Sequence, residues 1–418
     1  MTCQSCVEKD KIISEMKKRM GLLEEKNREM GEQLKEIKSY IWKSNQRTGE
    51  PRKLGPPANH EPHNRPPPKQ IHREVKLSLG ECPCCGGKLS APVRRRKRYV
   101  EDIRPPEPFN TEYEIPYYWC RRCRKQVSPK PADVIPKCRF GIRLMLLAAF
   151  MRYGLLLPFN KMAKEFEIVY GIRTSEGCLV DSLTRFAGYL GPEFEKIKTE
   201  VRRLAVVNTD ETGWRVNGKN VWLWDFITDK HELLVIDRSR GSDVPKSVLG
   251  DNPDRTTVCD CYRTYDKLGG RQQKCWSHLL GYTKKLDGPE GTLLHARLKR
   301  IHELAKTGAF SAEELLRRID ELKSMGFGDV KCVKMLNRLD KHRQSLFRFV
   351  DDPNVPDTNN AAERGLRRSV VMRKITGGNR SWKGADNHQV IMSVMQTWEK
   401  QDVDFFDKGM DIIRENLR

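Results

Sequence analysis

The sequence predicts a multi-domain α/β protein, and three observations support that class. The chain opens with a heptad repeat, continues with two Cys-x-x-Cys pairs, and carries three short apolar runs in close succession near its middle. Heptads are typical of coiled coils, paired Cys-x-x-Cys motifs of zinc sites, and short apolar runs separated by turn residues of antiparallel strands. Charged, helix-like segments surround the three runs, so both α and β structure are expected.

Length and charge restrict the classes of function. The 418 residues carry a net charge of +22, which indicates a polyanionic partner such as nucleic acid. A membrane partner is not expected, because the longest apolar run, Leu144–Met151, is far shorter than the roughly 20 residues of a membrane span. The N-terminus has no apolar signal segment, so a cytoplasmic protein is expected. The odd number of cysteines, 13, favours thiols and metal ligands over disulfides.

Residues 1–43 are predicted to form a coiled coil that joins two or more copies of the chain. Apolar positions recur there in alternating steps of three and four, and Asn27 lies at an a position, where a polar residue favours a two-stranded state. An amphipathic helix packed on the protein's own body is the alternative. The heptad positions are Ile13, Met16, Met20, Leu23, Asn27, Met30, Leu34, Ile37 and Ile41.

Residues 44–76 are predicted to be a basic, proline-rich linker. They contain Pro56-Pro57 and Pro66-Pro67-Pro68 among many Lys, Arg, His and Asn residues. Such a composition cannot bury enough apolar surface to fold. The linker is expected to be a solvated tether, with a path along DNA phosphates as the alternative.

Residues 77–135 are predicted to form a zinc ribbon with one structural Zn²⁺. Two Cys-x-x-Cys pairs separated by 34 residues suit a tetrahedral site of four thiolates. Cys84 is an extra thiol that could replace its neighbour, and a redox role for one of the pairs is the alternative. The four predicted ligands are Cys82, Cys85, Cys120 and Cys123.

The segment between the two cysteine pairs is predicted to supply a β-hairpin. Polar and apolar residues alternate in Arg98–Ile103 and in Tyr113–Tyr117, as in half-buried strands. A basic run within this segment is either a solvated strand face or a contact to DNA phosphates, and the charge of the chain favours phosphate. The run consists of Arg94, Arg95, Arg96, Lys97 and Arg98.

Residues 136–197 are predicted to be a helical block that binds DNA. A short helix over Phe159–Phe166, a turn over Gly171–Thr174, and a helix capped by Ser175 and running to about Tyr189 follow one another in the sequence. This is the order of a helix-turn-helix. Any small helical bundle offers such pairs, which is the alternative interpretation.

The three apolar runs predict consecutive antiparallel strands over Leu204–Val207, Val221–Ile227 and Leu233–Ile236. Asp210 would then lie at the end of the first strand, at the rim of a sheet. A carboxylate there can bind a metal ion, although a single Asp is more often a turn former or a cap. Glu211 would face the other way, because side chains alternate along a strand.

Two further acidic residues follow in an order that strengthens the metal interpretation. A crossover helix is expected over Ser242–Leu249, a strand over Thr256–Cys259 ends at Asp260, a strand is expected over Lys274–Trp276, and a later helix carries Glu363. Three strands, a helix, a strand with a second Asp, a fifth strand and a helix with Glu form the ribonuclease H-like order of the DDE nucleotidyl transferases.

Four blocks of the sequence resemble the signature blocks of the insertion sequence 66 family of transposases. They are Asn208–Trp214, Cys259–Tyr262 with Tyr265, Cys275–His278, and Asn359–Arg364 with Arg367. The chain departs from the family's pattern at Cys261, where Gly is common, and at Leu279, where Arg is usual. Neither departure removes a carboxylate.

The resemblance covers nearly the whole chain and implies its domain order. The heptad region, the zinc segment and the helical block would precede a ribonuclease H-like DDE catalytic domain. This domain is expected over residues 198–400, with a helical insertion at about 281–354, and residues 401–418 would form a C-terminal tail. The insertion is inferred because Glu363 lies 103 positions after Asp260, a gap too long for the bare fold.

The resemblance also implies the catalytic residues and the cofactor. Asp210, Asp260 and Glu363 would hold two Mg²⁺ ions for in-line phosphoryl transfer. Arg364 and Arg367 would contact DNA. An ion pair between Glu363 and Arg367 is the alternative role of that glutamate, and His278 either contacts the phosphate or fills the edge of the sheet.

The expected function is that of a DNA transposase of a prokaryotic cell, nucleoid-associated, which binds the ends of its insertion sequence, cleaves strands and transfers them to target DNA. Small accessory proteins are possible partners. Two alternatives remain open: a DNA-binding regulator derived from a transposase, and a metal-dependent nuclease without strand transfer.

Overall fold

A computed structural model describes residues 15, 16, 19–21, 24, 25, 66–131 and 134–417. The chain divides into two compact units, one of residues 41–107 and one of residues 1–40 with 108–418. The predicted coiled coil lies largely outside the described residues. Those of its residues that are described are helical and exposed, Met16 and Met20 among them. No helix in the described ranges is long and apolar enough to cross a bilayer.

The smaller unit contains the first cysteine pair in a tight turn. The amide of Gly86 donates to the carbonyl of Cys82 at 2.8 Å, and the amide of Cys82 donates to the carbonyl of Gly87 at 3.0 Å. Gly86 has φ +69°, a left-handed conformation that glycine adopts without a steric penalty. The turn therefore requires a glycine just after the cysteines.

The hairpin predicted between the cysteine pairs is wrong. Residues 98–103 and 113–117 form no strand, and their alternating apolar side chains are exposed. The paired strands instead flank the second cysteine pair, where β1 (Tyr118–Cys120) is antiparallel to β2 (Lys125–Val127). A segment with alternating apolar residues forms a strand only when a neighbouring strand pairs with it. Here the Cys-x-x-Cys turn places β2 beside β1.

In the described range 134–205, three helices lie directly before the main sheet. They are α1 (Ile142–Ala149), which continues into a π-helical turn over Phe150–Gly154, α2 (Phe159–Tyr170) and α3 (Glu176–Arg203). Gly171 ends α2 in the left-handed conformation, and the hydroxyl of Ser175 accepts the amide of Cys178 at 3.2 Å to cap α3. The predicted order of helix, turn and capped helix is present.

The capped helix α3 is longer than predicted. An end near Tyr189 was expected, but α3 passes through Pro192 and ends at Arg203. Its apolar face continues beyond the proline with Phe194, Ile197 and Val201, all buried in the core that also contains the sheet. Burial of this face outweighs the one backbone hydrogen bond that Pro192 cannot make.

The main sheet has five strands in the order β5-β4-β3-β6-β7. In this sheet β3, β4 and β5 are consecutive antiparallel neighbours, and β6 and β7 run parallel to β3. The predicted crossover helix is α4 (Asp243–Leu249), between β5 and β6. The strand bounds are β3 (Val206–Val216), β4 (Lys219–Ile227), β5 (Glu232–Asp237), β6 (Thr256–Cys259) and β7 (Arg271–Lys274).

The fifth strand lies earlier than predicted. It ends at Lys274, and Trp276 begins the helix α5 (Trp276–Thr283). Its sequence is polar, yet Gln273 and Lys274 are buried. Both side chains have polar partners there, because Gln273 donates to the carbonyl of Leu346 and Lys274 pairs with Asp266 at 3.3 Å. Because the buried residues of β7 are polar and hydrogen-bonded, its sequence lacks the apolar alternation from which a strand is predicted.

Four helices follow α5 and form a second apolar cluster with it. Trp276 lies at its centre, stacked on His302 with ring centroids 5.0 Å apart, and its indole donates to the carbonyl of Leu346 at 2.6 Å. The helices are α6 (Gly288–Ala305), α7 (Ala312–Ser324), α8 (Val330–Lys341) and α9 (Arg348–Asp351).

The chain returns to the sheet through α10 (Asn360–Thr376), α11 (Trp382–Lys400) and α12 (Phe405–Leu417). Polar side chains of α11 accept the outward amides of the edge strand β5: Ser393 from Leu234 at 2.8 Å and Thr397 from Glu232 at 3.0 Å. An edge strand otherwise leaves such amides open to pairing with another chain. Here α11 covers them.

The packing of α10 on the sheet depends on Gly365. A Cβ at this position would contact the carboxylate of Asp225 and the side chain of Ile227, and would lie 2.6 Å from the Oε1 atom of Glu232. All three groups are on β4 and β5. The helix can approach these strands closely only because residue 365 has no side chain.

We therefore expect Gly365→Ala to destabilise the protein by about 1–3 kcal/mol, the usual cost of an overpacked core. Gly188→Ala in α3 is the matched control, because an added Cβ there has no neighbour within 4 Å; it should gain about 0.5–1 kcal/mol from the better helix propensity of alanine. Urea unfolding of both variants measures the difference. Equal stabilities would contradict the close approach of α10.

Candidate active site

Two of the predicted carboxylates lie at the same end of neighbouring strands. The parallel pairing of β3 with β6 runs from Val206 opposite Thr256 to Asn208 opposite Val258. Asp210 and Asp260 each follow two residues beyond the last pair. Adjacent strands are roughly 4.8 Å apart, so this register brings the two residues to one edge of the sheet.

The prediction that Asp210 lies at the end of its strand is wrong in one respect. β3 continues to Val216, because its hairpin with β4 extends from Asn208 to Val216 and pairs Asp210 with Asp225. The pairing of β3 with β6, in contrast, ends at Asn208, before Asp210. The residue therefore has a strand neighbour on one side and an open side where Asp260 lies.

Glu363 is brought to this edge by the buried side chain of Asn359, directly before α10. Its Nδ2 atom donates to the carbonyl of Thr209 at 2.8 Å, and its Oδ1 atom accepts from Asn208 at 3.0 Å. Its backbone amide donates to the Sγ atom of Cys275 at 3.1 Å. An asparagine before a helix usually caps it, but this side chain binds β3 instead and so fixes the start of α10 beside Asp210.

His278 lies among the acidic residues. Its Nδ1 atom is 3.6 Å from Oε1 of Glu363. The neighbouring Cys275 side chain is the main cause that raises the pKa of His278 to about 9, and the negative charges of Asp260 and Glu363 raise it further. The partner of Glu363 is thus His278, and not Arg367 as in the alternative considered from the sequence.

Asp210 is in an environment that disfavours its charge. Burial raises the pKa of Asp210 to about 7, and the charges of Glu211 and Asp260 contribute in the same direction. His278 opposes this effect only weakly. Carboxylates gathered without a compensating cation repel one another, so this donor set fits hard divalent cations such as Mg²⁺.

Glu211 makes contacts that leave no need for a metal ion. It accepts two hydrogen bonds from Arg240, at 3.0 and 2.9 Å, and one from the hydroxyl of Tyr265. The Arg240 guanidinium lies between the rings of Trp222 and Tyr262, 4.2 and 4.1 Å from their centroids. Tyr262 and Tyr265 belong to the second signature block. Tyr265 binds Glu211 directly, and Tyr262 packs on the arginine that binds it.

Sequence reasoning missed two buried acids beneath α10. Asp225 is fully buried, and neither of its carboxylate oxygens accepts a hydrogen bond from a described residue. Burial and the charges of Glu232 and Asp210 raise the pKa of Asp225 well above its usual range. Burial also raises the pKa of Glu232 to about 7. Asp225 lies within the apolar run Val221–Ile227, so no pattern in the sequence singles it out.

The cysteine pairs have the local geometry of metal-binding turns. The amides of Cys84 and Cys85 lower the pKa of the Cys82 thiol. In the other pair, the amide of Cys123 points to the Sγ atom of Cys120 at 3.5 Å and lowers the pKa of that thiol. Amides directed at sulfur favour the thiolate, which is the form that binds zinc.

The predicted DNA-contacting residues are exposed. This holds for residues 94–98 and for Arg364 and Arg367 on α10. At the other end of α10 a cleft of about 470 Å³ opens between this helix and the β3–β4 hairpin. Its lining includes Arg215, Trp222, Arg373 and Lys374. Cationic groups beside an aromatic ring suit nucleic acid.

Two family profiles match the segments that contain the cysteine pairs and the carboxylates. The profile described as the Transposase IS66 family matches residues 137–387. The profile described as the zinc-finger binding domain of transposase IS66 matches residues 80–124. The first match includes Asp210, Asp260 and Glu363, and the second includes Cys82, Cys85, Cys120 and Cys123.

Two curated relatives come from Sinorhizobium fredii. The uncharacterized protein y4hP is 23% identical over 407 residues, which cover 82% of this chain and 72% of the relative. The uncharacterized protein y4jO is 30% identical over 90 residues, 22% of this chain and 28% of the relative. Because the transposase profile covers more than half of the sequence, including the sheet and α10, this chain belongs to the IS66 family of transposases.

Proposed function

We propose that this chain is a DDE-type transposase that binds the ends of its insertion sequence and catalyses cleavage and transfer of DNA strands with two Mg²⁺ ions. The observation that carries the proposal is the placement of Asp210 and Asp260 at one edge of the sheet, with the helix that bears Glu363 starting beside it. The first two follow the last β3–β6 pair by the same two residues, and Asn359 fixes the helix that bears the third.

The topology of the sheet supports a ribonuclease H-like catalytic domain. Three antiparallel strands, a crossover helix and two parallel strands give the order β5-β4-β3-β6-β7, and α10 crosses the sheet beside β3 and β4. The second apolar cluster, from α5 to α9, accounts for the long interval between Asp260 and Glu363. We infer that this cluster is an insertion into that fold.

The carboxylates would hold the metal ions, and the neighbouring residues would orient them. The chemistry that a pair of Mg²⁺ ions supplies is activation of a water or 3′-hydroxyl and stabilisation of the leaving oxygen. His278, with its raised pKa, carries a positive charge at neutral pH. It lies against Glu363, where it can orient that carboxylate and donate a proton to a phosphate oxygen.

DNA would be held by cationic surface residues on both sides of this edge. Arg364 and Arg367 project from the first turns of α10 near Glu363, and Arg373 and Lys374 line the cleft at its other end. Phosphate contacts of this kind make affinity fall steeply with salt concentration. The basic run at residues 94–98 and the α2–α3 pair are further candidates for binding the element ends.

Self-association through the N-terminal heptads is also proposed. Two heptad positions that the structure describes, Met16 and Met20, are 65% and 60% exposed. Apolar side chains at a and d positions gain stability when a second helix covers them. Small accessory proteins encoded near the gene remain possible further partners.

The catalytic assignment predicts that Asp210→Asn, Asp260→Asn and Glu363→Gln each reduce strand cleavage and strand joining by orders of magnitude. Each amide keeps the shape of the side chain but removes a charge that the metal ions require. DNA binding should stay close to that of the unmodified protein. Gel assays with Mg²⁺ on DNA that carries the element's ends measure cleavage and joining separately.

Two variants control this experiment. Glu211→Gln should be milder, because Arg240 and Tyr265 already bind that carboxylate, and Asp254→Asn, on an exposed loop, should have no effect. A Glu363→Gln protein that joins ends at the unmodified rate would refute the assignment. Cleavage without joining would instead identify a metal-dependent nuclease.

The zinc segment predicts about one Zn²⁺ per chain. The Cys120→Ser, Cys123→Ser double variant should lose this ion, because two of its four thiolates are gone. Cys84→Ser should keep it if Cys82 and Cys85 are the ligands of the first pair. Metal analysis of the full chain by mass spectrometry measures the content. Full zinc retention in the double variant would refute the four-thiolate site.

A further inference from the structure

Three side chains of different chemistry converge next to the carboxylate edge. The Sγ atom of Cys275, a ring nitrogen of His278 and a carboxylate oxygen of Glu363 all lie within 4.8 Å of one another. Cys275 precedes the first residue of α5, and His278 is three residues further along, on the same side of its first turn. Glu363 comes from the first turn of α10.

The geometry of the group is close to that of a metal site. A tetrahedral Zn²⁺ with bonds of about 2.0–2.3 Å to sulfur, nitrogen and oxygen places its ligand atoms roughly 3.3–3.6 Å apart. The Nδ1 atom of His278 is already 3.6 Å from the Oε1 atom of Glu363. A small rotation of the Glu363 side chain, which is 45% exposed, would close the remaining distance to the sulfur.

The ligand atoms are also prepared for a cation. The Nδ1 atom of His278 is inaccessible to solvent and has no hydrogen-bond partner among the described residues. The buried Sγ atom of Cys275 receives the amide of Asn359 at 3.1 Å and lies 2.9 Å from the hydroxyl of Ser277. Donors around a sulfur stabilise a metal-bound thiolate and fix its orientation.

The donor set differs in kind from the carboxylate site. Three carboxylates suit Mg²⁺, which prefers oxygen ligands and octahedral coordination. One thiolate, one imidazole and one carboxylate suit Zn²⁺, with a fourth position open to water. Both sets contain Glu363, and one carboxylate cannot serve both in the same geometry.

We propose that Cys275, His278 and Glu363 form a second metal site, selective for Zn²⁺, which withdraws Glu363 from the Mg²⁺ site. Zinc bound there inhibits strand cleavage without unfolding the protein. The site itself stands on the three side chains alone, whereas the inhibition rests on the proposed transposase activity. The two parts are tested by different measurements.

Binding is tested with Co²⁺ as the probe, added to full-length protein that already holds one Zn²⁺ per chain. We expect one further equivalent of Co²⁺ to bind, with the near-ultraviolet band of a cobalt–thiolate bond and the visible bands of tetrahedral cobalt. Cys275→Ser should abolish the thiolate band, and His278→Gln should weaken Co²⁺ binding at least tenfold. Cys332→Ser, a buried cysteine of α8, is the matched control and should keep the band.

The absence of the further equivalent, or a thiolate band that persists in Cys275→Ser, would overturn the site. Circular dichroism of each variant verifies that it is folded. If Cys275→Ser does not fold, His278→Gln decides, and undiminished Co²⁺ binding by that variant overturns the site.

Inhibition is tested by the ratio of Mg²⁺-dependent cleavage with and without one added equivalent of Zn²⁺, taken for each variant against its own rate. We expect a reduction of at least tenfold in the unmodified protein and in Cys332→Ser, and a ratio near one in Cys275→Ser. Zinc binding without inhibition would overturn the sharing of Glu363. A protein that never cleaves with Mg²⁺ would refute the proposed function, while the cobalt spectra would still decide the site.

Discussion

The hydrogen bonds of one buried side chain, Asn359, hold the candidate site together. They join the start of α10 to the carbonyl of Thr209, to the side chain of Asn208 and, through the backbone, to the sulfur of Cys275. These partners precede Asp210 and His278, so one residue joins the helix that bears Glu363 to the segments that bear the other two. A buried polar network specifies a unique arrangement only when all its members are satisfied, and those of Asn359 are.

Negative charge is the second constraint, and the fold distributes it over two layers. Asp210 lies at the open edge, and its strand partner Asp225 is fully buried beneath α10. Burial and neighbouring negative charges raise the pKa of both residues: Glu211 and Asp260 act on Asp210, and Glu232 and Asp210 act on Asp225. Cations at the edge would relieve this repulsion. Gly365 allows α10 to lie close over Asp225. A metal ion at this edge would therefore lie one strand pair away from the residue on which α10 packs.

Most strands of the main sheet could be predicted from the sequence, because their apolar and β-branched residues form local patterns. Apolar runs identified β3, β4 and β5, and the β-branched run before Asp260 identified β6. The polar strand β7 and the passage of α3 through Pro192 could not be found in this way, because tertiary burial decides them. The contacts of Asn359 span 150 and 151 residues, and no local pattern reports them. Only the resemblance to a family indicated that its neighbour Glu363 belongs with the two aspartates.

The central claim is that Asp210, Asp260 and Glu363 hold metal ions at one edge of the sheet. Fe²⁺ can replace Mg²⁺ at oxygen ligands, and with peroxide it releases hydroxyl radicals that cut the backbone near the ion. We expect cuts close to residues 210, 260 and 363 that excess Mg²⁺ suppresses, and we expect an Asp210→Asn, Asp260→Asn double variant to lose the cuts at 210 and 260. The absence of cuts near residues 210 and 260, or cuts there that persist in that variant, would contradict it.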